Sequence, residues 1–197
     1  MTYNSRKERA IENFMSGYNC SQSVFEAYSD LFGFDKETAL KISASFGAGI
    51  GRMRETCGTV CAMFMIAGMF TGCTTADCPS GKKANYDTVQ ELAQIYKEKY
   101  GSIVCRELLG LKKDMPFDET TPDERTKEYY QKRPCVRQVA GACDIIEEYF
   151  KEELAALGYP VYPSQANYVF FTGPADLYEK LEQKKILIRD CSNYTGL

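Results

Sequence analysis

Phe46-Gly-Ala-Gly-Ile-Gly-Arg-Met-Arg-Glu-Thr-Cys-Gly-Thr-Val-Cys61 is the stretch whose reading decides the fold. A G-x-G run suggests a dinucleotide-binding turn, but that fingerprint follows a strand in a βαβ unit. Here the preceding residues Ala39, Ile42 and Phe46 repeat at helical spacing after Asp35. The nucleotide reading is therefore rejected, and the glycines are read as a loop allowing positive φ angles and close packing. Thr56 has the residue type of an N-cap, which places Cys57 in the first turn of a helix. Free N–H groups and the helix dipole at that end favour an anion, and a thiolate is one. Arg52 and Arg54 add positive charge in the sequence, while Glu55 opposes it. Such surroundings make a cysteine nucleophilic at neutral pH. The competing reading makes Cys57 a small buried hydrophobe under a tight loop.

Working outward, Val60 to Phe70 is almost wholly apolar and reads as the central helix of its domain. Cys61 shares a face with Cys57 and reads as core filling. On the N-terminal side, Ser5 to Ser16 reads as a helix with Ala10, Ile11, Phe14 and Met15 inward. Gly17 breaks it, and Asn19 then caps a second helix from Cys20 to Phe32, giving Cys20 the same address as Cys57. On the C-terminal side, Gly72 to Gly81 is a loop by composition. Asn85 to Tyr100 reads as an amphipathic helix. Ser102 caps a short helix holding Cys105 beside Arg106. Residues 112–132 read as loop with a short helical piece. Cys135 follows Pro134, a residue favoured at a first helical position, and opens a last helix with Val136, Val139, Ala140, Cys143, Ile146 and Phe150 inward.

The composition narrows the function. A chain of 197 residues with 44% hydrophobic content builds a real core. The net charge of −3 comes with no basic stripe, which argues against nucleic acid. The start, Met1 to Ala10, is charged and lacks a signal-peptide apolar region. Val60 to Phe70 is too short to span a bilayer. A soluble cytoplasmic protein without membrane association is expected. The nine cysteines are Cys20, Cys57, Cys61, Cys73, Cys78, Cys105, Cys135, Cys143 and Cys191. In a reducing compartment they point to redox cycling or metal binding rather than permanent disulfides. Histidine is absent, which removes Cys-His pairs, Ser-His-Asp triads and imidazole-dependent zinc sites.

Residues 7–149 resemble the small proteins of the C_GCAxxG_C_C family, described as redox-active. The resemblance rests on Gly17-Tyr-Asn-Cys-Ser-Gln-Ser-Val24, Phe46-Gly-Ala-Gly-Ile-Gly-Arg52, Glu55-Thr-Cys-Gly58, Gly101-Ser-Ile-Val-Cys-Arg-Glu-Leu-Leu-Gly110 and Arg133-Pro-Cys135. The four cysteines characteristic of that family fall on Cys20, Cys57, Cys105 and Cys135. One departure is visible: the C-G-A-x-x-G run of the family reads Cys57-Gly-Thr-Val-Cys-Ala62 here, which alters the packing behind Cys57.

The tail differs in character. Leu157 to Phe171 reads as a turn then a strand, Ala175 to Lys184 as a helix, and Ile186 to Cys191 as a strand. Val161-Tyr-Pro-Ser-Gln-Ala-Asn167 and Ile186-Leu-Ile-Arg-Asp-Cys-Ser-Asn193 resemble part of the small domain of fold-type I pyridoxal-phosphate aminotransferases, in the histidinol-phosphate aminotransferase and threonine-phosphate decarboxylase branch. The Schiff-base lysine and cofactor residues of that family lie outside this chain. The resemblance thus implies neither pyridoxal-phosphate chemistry nor transamination, and the tail reads as a fusion remnant or truncated frame.

The expected architecture is mainly α: a compact helical domain over 1–150, with a short β-α-β appendage over 151–197. The expected function is a thiol redox protein, a thiol–disulfide oxidoreductase, using Cys20, Cys57, Cys105 and Cys135 clustered near helix N-termini. Such chemistry requires a redox partner and no cofactor. The alternatives are a module in which the four thiolates ligate a metal or iron–sulfur cluster, and an inert helical interaction domain.

Overall fold

Capping chemistry sets the helix starts. Ser5 accepts a hydrogen bond from the Glu8 N–H and opens α1 (Arg6–Met15). Asn19 opens α2 (Cys20–Tyr28) with a capping box: its Oδ1 accepts from the Ser21 and Gln22 N–H groups, and Gln22 Oε1 accepts from the Asn19 N–H. A 3₁₀ turn, Ser29–Phe32, continues α2. Asp35 caps α3 (Lys36–Ser43), and Ala44–Phe46 forms a second 3₁₀ turn. The remaining described helices are α4 (Gly58–Thr71), α5 (Pro79–Tyr100), α6 (Cys105–Leu108), α7 (Lys127–Lys132) and α8 (Cys135–Ala156). The structure, a computed structural model, describes residues 5–112 and 120–156, with the backbone at 161–162 and 170–171.

Helix α2 lies between α1 and α4, and α4 packs in turn on α5. Phe14, Phe25, Met63, Ile66, Tyr96 and Ile145 are the large fully buried side chains where these helices and α8 meet. Each such burial stabilises the fold by about 1.5–3 kcal/mol. The α1–α2 joint also holds a buried carboxylate. Glu26 is 1% exposed, and its oxygens accept from Arg9 Nη2 at 2.5 Å, Arg9 Nε at 3.1 Å and Asn13 Nδ2 at 2.5 Å. Burying a charge without such partners is strongly unfavourable, so this cluster fixes α1 against α2 and steadies the helix that carries Cys20.

Two local expectations are corrected. Helix α5 begins at Pro79 rather than Asn85, because proline is pre-organised for a first helical position; the 72–81 loop is correspondingly shorter. Helix α4 is apolar on every side, yet Met69 is 42% exposed and Phe64 and Met65 are half-buried. Its neighbours cover the face of Val60, Met63, Ile66 and Ala67 and leave the opposite side of its C-terminal half open. Cys73 and Cys78, whose spacing leaves a ligand role or a local disulfide open, form a disulfide with Cα atoms 6.5 Å apart. The loop between them brings the two residues together just before α5.

The chain divides into two compact units, Met1–Phe150 and Lys151–Leu197. In the second, β1 (Val161–Tyr162) pairs antiparallel with β2 (Phe170–Phe171), in the register Val161↔Phe171 and Tyr162↔Phe170. The β-α-β appendage is not supported. The 157–171 run, expected as a turn followed by one strand, supplies two short strands that pair with each other. Pro163 has no N–H to give a ladder, so a continuous strand through it is disfavoured. The expected helix over 175–184 and strand over 186–191, with Cys191, lie outside the described residues. None of the described helices is long and apolar enough to cross a membrane.

Candidate functional site

The backbone ahead of Cys57 is unusual. Ala48 (φ 56°), Gly49 (74°), Ile50 (59°), Gly51 (55°) and Arg52 (72°) are consecutive residues in the left-handed region, and Arg54 (62°) joins them. Non-glycine residues cost about 1–2 kcal/mol each there. Such strain persists where surrounding contacts over-determine it, and it concentrates at functional sites. The contacts are present: Gly51 N–H donates to Ser45 O at 2.7 Å and Glu55 N–H to Gly49 O at 3.1 Å. Arg52 Nη1 binds Asp123 Oδ2 at 2.9 Å. Gly49 is required on two counts, its φ and its neighbour: a Cβ there would sit 2.6 Å from Cys105 Cβ. The sequence suggests positive φ for the glycines alone. Four non-glycines adopt it as well, because the fold imposes the turn.

The turn feeds a short antiparallel pairing of residues 54–57 with 103–106. Arg106 N–H donates to Arg54 O at 3.1 Å, Cys105 N–H to Glu55 O at 2.6 Å, and Cys57 N–H to Ile103 O at 2.8 Å, about the bridge Thr56↔Val104. This joint carries Cys105 to Cys57. Cys20 arrives from α2: its sulfur packs on the first residue of α4, so that a Cβ on Gly58 would approach it to 2.6 Å. Cys135 arrives as the first residue of α8. All four predicted cysteines line one cavity of about 60 Å³. Cys20, Cys57 and Cys105 are buried and Cys135 is half-buried, all as free thiols.

The electrostatics separate them. Cys57, expected one position into the helix, is itself the N-cap of α4. Its thiol is lowered to about 6, first because Cys20 donates a hydrogen bond to it, against the opposing effect of burial. Thr59 Oγ1, 3.2 Å from the sulfur, and the N–H groups of Thr59 and Val60 add to the lowering. Those two N–H groups act as partial charges at the helix start rather than through a complete side-chain cap bond. Cys20, as donor to the thiolate and fully buried, is pushed well above its ordinary value. Burial and the neighbouring Cys57 charge raise Cys105 and Cys135 to about 11. The pocket therefore holds one thiolate among protonated thiols.

The expected source of the lowering is corrected. Arg52 is paired with Asp123, Arg54 acts on Cys105, and Glu55 is exposed. Hydrogen bonds from Cys20 and Thr59 do what adjacent arginines were expected to do, because the left-handed turn redirects those side chains. Behind Thr59 runs a buried chain: its Oγ1 lies 3.1 Å from Tyr96 Oη, which in turn donates to Gln138 Oε1. In the sequence Thr59 shows only as a departure from the family motif. Tyr96 and Gln138 carry no local signal and become visible only where α5 and α8 meet α4. Arg125 and Arg133 also line the cavity and likewise carry no local signal. Arg106, expected to support Cys105, contributes its backbone N–H to the pairing.

A family model described as "Putative redox-active protein (C_GCAxxG_C_C)" matches residues 18–149. The chain belongs to the C_GCAxxG_C_C family. The match spans every element that builds the cavity beyond α1, and it ends before the second unit. No curated protein and no solved structure matches the chain. The aminotransferase resemblance of the tail is not supported by these comparisons. Outside the cavity, burial raises Cys61 to about 11 and Cys143 to about 12, so both act as core thiols. Among the described residues, no group of three or more His, Cys, Asp or Glu side chains is disposed to hold a metal ion.

Proposed function

We propose that this C_GCAxxG_C_C protein is a thiol–disulfide oxidoreductase in which Cys57 is the nucleophile and Cys20 the resolving thiol. One observation carries the reading: two free cysteines, remote in sequence, line one cavity, with the Cys20 sulfur packed against Gly58, the residue that follows Cys57. The reaction balances without a cofactor. The Cys57 thiolate attacks one sulfur of a substrate disulfide, which forms a mixed disulfide and releases the other sulfur as a thiolate. Cys20 gives its proton to the departing thiolate and attacks the Cys57 sulfur. The second substrate thiolate then leaves, and a Cys20–Cys57 disulfide holds the two electrons' worth of oxidation. A dithiol reductant resets the pair. Cys105 and Cys135 stay protonated and line the same cavity.

The test is redox titration of the purified protein against a dithiol buffer, with peptide mapping of the oxidised product. The expected outcome is a two-electron couple mapping to Cys20–Cys57. Cys20→Ser traps the mixed disulfide, and Cys57→Ser forms none. A mixed disulfide that maps to Cys105 or Cys135 in the wild-type protein overturns the assignment.

A further inference from the structure

Among the described residues, three buried side-chain nitrogen or oxygen atoms have no hydrogen-bond partner: Ser21 Oγ, Arg54 Nε and Arg125 Nη1. Two of the three belong to guanidinium groups on the wall of the same cavity. Arg54 is 5% exposed. Its Nη2 reaches Asp123 only at 3.9 Å, and the rest of the group faces Cys105 and the cavity. Arg125 is clamped between Phe14 and Tyr129, at 4.8 and 4.6 Å from the ring centroids, with Nη2 donating to Tyr18 O. Its position is thus fixed while Nη1 is left over. A buried donor without an acceptor costs about 1–3 kcal/mol, and more when charged. Two such cationic donors on one wall are a standing demand for an acceptor.

The geometry points to a binding site for a small oxyanion of sulfate or phosphate size, held by Arg54 and Arg125 against Cys57. The cavity, about 60 Å³, is roughly four times the 15 Å³ or so that one water needs on the same measure. That is room for the four oxygens of a tetrahedral ion. Guanidinium groups bind such oxygens with charge-assisted bonds. Asp123 does not cancel the site, since its carboxylate is already shared by Arg52 and Arg133. The inference deepens the proposed thiol reading by naming what the pocket admits beside the thiolate: an oxyanion, or a small substrate carrying one.

The experiment uses the full chain with sodium sulfate against sodium chloride at equal ionic strength. It records Tm and the rate at which iodoacetamide, a neutral reagent, alkylates Cys57. Sulfate is expected to raise Tm and to slow alkylation about tenfold at saturation. Arg125→Met and Arg54→Lys lose most of both effects, and Arg137→Met, an exposed arginine stacked on Tyr100 outside the cavity, keeps them. Using two site variants guards against a folding defect in either one. Equal Tm in the two salts for the wild-type protein overturns the site, as does a sulfate effect that survives in both site variants. The two readings fail separately. A slow Cys57 with an intact sulfate shift in Tm sinks the thiol assignment and keeps the anion site. A fast Cys57 without a sulfate shift does the reverse.

Discussion

Two cysteine pairs in this protein meet opposite fates. Cys73 and Cys78 close a five-position loop on the surface into a disulfide. Cys20 and Cys57 belong to separate helices, meet inside the protein and remain thiols. The local pair needs only a turn to bring its sulfurs together. The buried pair needs the whole packing of α1, α2 and α4, plus the left-handed turn at 48–54. In return it gains an environment, with Cys20 and Thr59 as hydrogen-bond donors and N–H groups at a helix start, that stabilises one charge. Proximity makes a disulfide, whereas environment makes a nucleophile.

The sharpest way to break this comparison is to measure reactivity at pH 7. From about 6 for Cys57 and about 11 for Cys61, the thiolate fractions differ by roughly 10⁴. The weaker nucleophilicity of a low-pKa sulfur takes back roughly 10² of that. Cys57 should therefore alkylate about a hundredfold faster than Cys61 or Cys143, as timed labelling with mass spectrometry will read. Equal rates would remove the distinction between environment and mere burial.

Next in size is the donor itself. The alkylation rate of Cys57 should fall as pH drops through about 6, because protonation consumes the thiolate. Cys20→Ala removes the largest lowering contribution, and a bond to a charged group is worth about 1.5–3 kcal/mol, so the inflection should move up by about one to two pH units. Thr59→Val should move it the same way by a smaller amount, about one pH unit. A larger shift for Thr59→Val than for Cys20→Ala would reverse the order of causes.

The surface pair should matter least to the site. Replacing Cys73 and Cys78 by alanine costs stability of at most about 2 kcal/mol, for so short a loop, and should leave the Cys57 inflection where it was. Denaturant unfolding and the same labelling assay check both halves.

Smallest is the acid dependence of Asp123. Its carboxyl lies below the ordinary 3.8, chiefly through the hydrogen bond from Arg52. A depressed folded pKa contributes stability that is complete above the unfolded value and lost as pH falls through the folded one. Asp123→Asn should then cost about 1 kcal/mol or less at pH 7, since the group is partly exposed. That cost should shrink as pH falls below about 4 and vanish below the depressed folded value.

The helices were legible because caps and apolar periodicity are local: Ser5, Asn19 and Asp35 mark starts that the structure keeps to within one residue. The address of the four cysteines was legible for the same reason, since a helix start is written in two or three neighbouring residues. Their charge states were not. The sequence pointed to Arg52 and Arg54 because they are adjacent to Cys57. The backbone between is left-handed, and it sends one to Asp123 and the other to Cys105.

The sequence by itself determined a mainly helical chain, four cysteines at helix starts and the family they signal, because each depends on a few consecutive residues. The tertiary structure alone decided that Cys20 and Cys57 meet in one cavity, that Thr59, Tyr96 and Gln138 line up behind the sulfur, and that Arg54 and Arg125 face that same small cavity. Those outcomes depend on side chains from α2, α4, α5 and α8 and the connecting loops meeting within hydrogen-bond distance. No periodicity encodes that meeting, because each partner's local pattern is satisfied equally well wherever its helix packs.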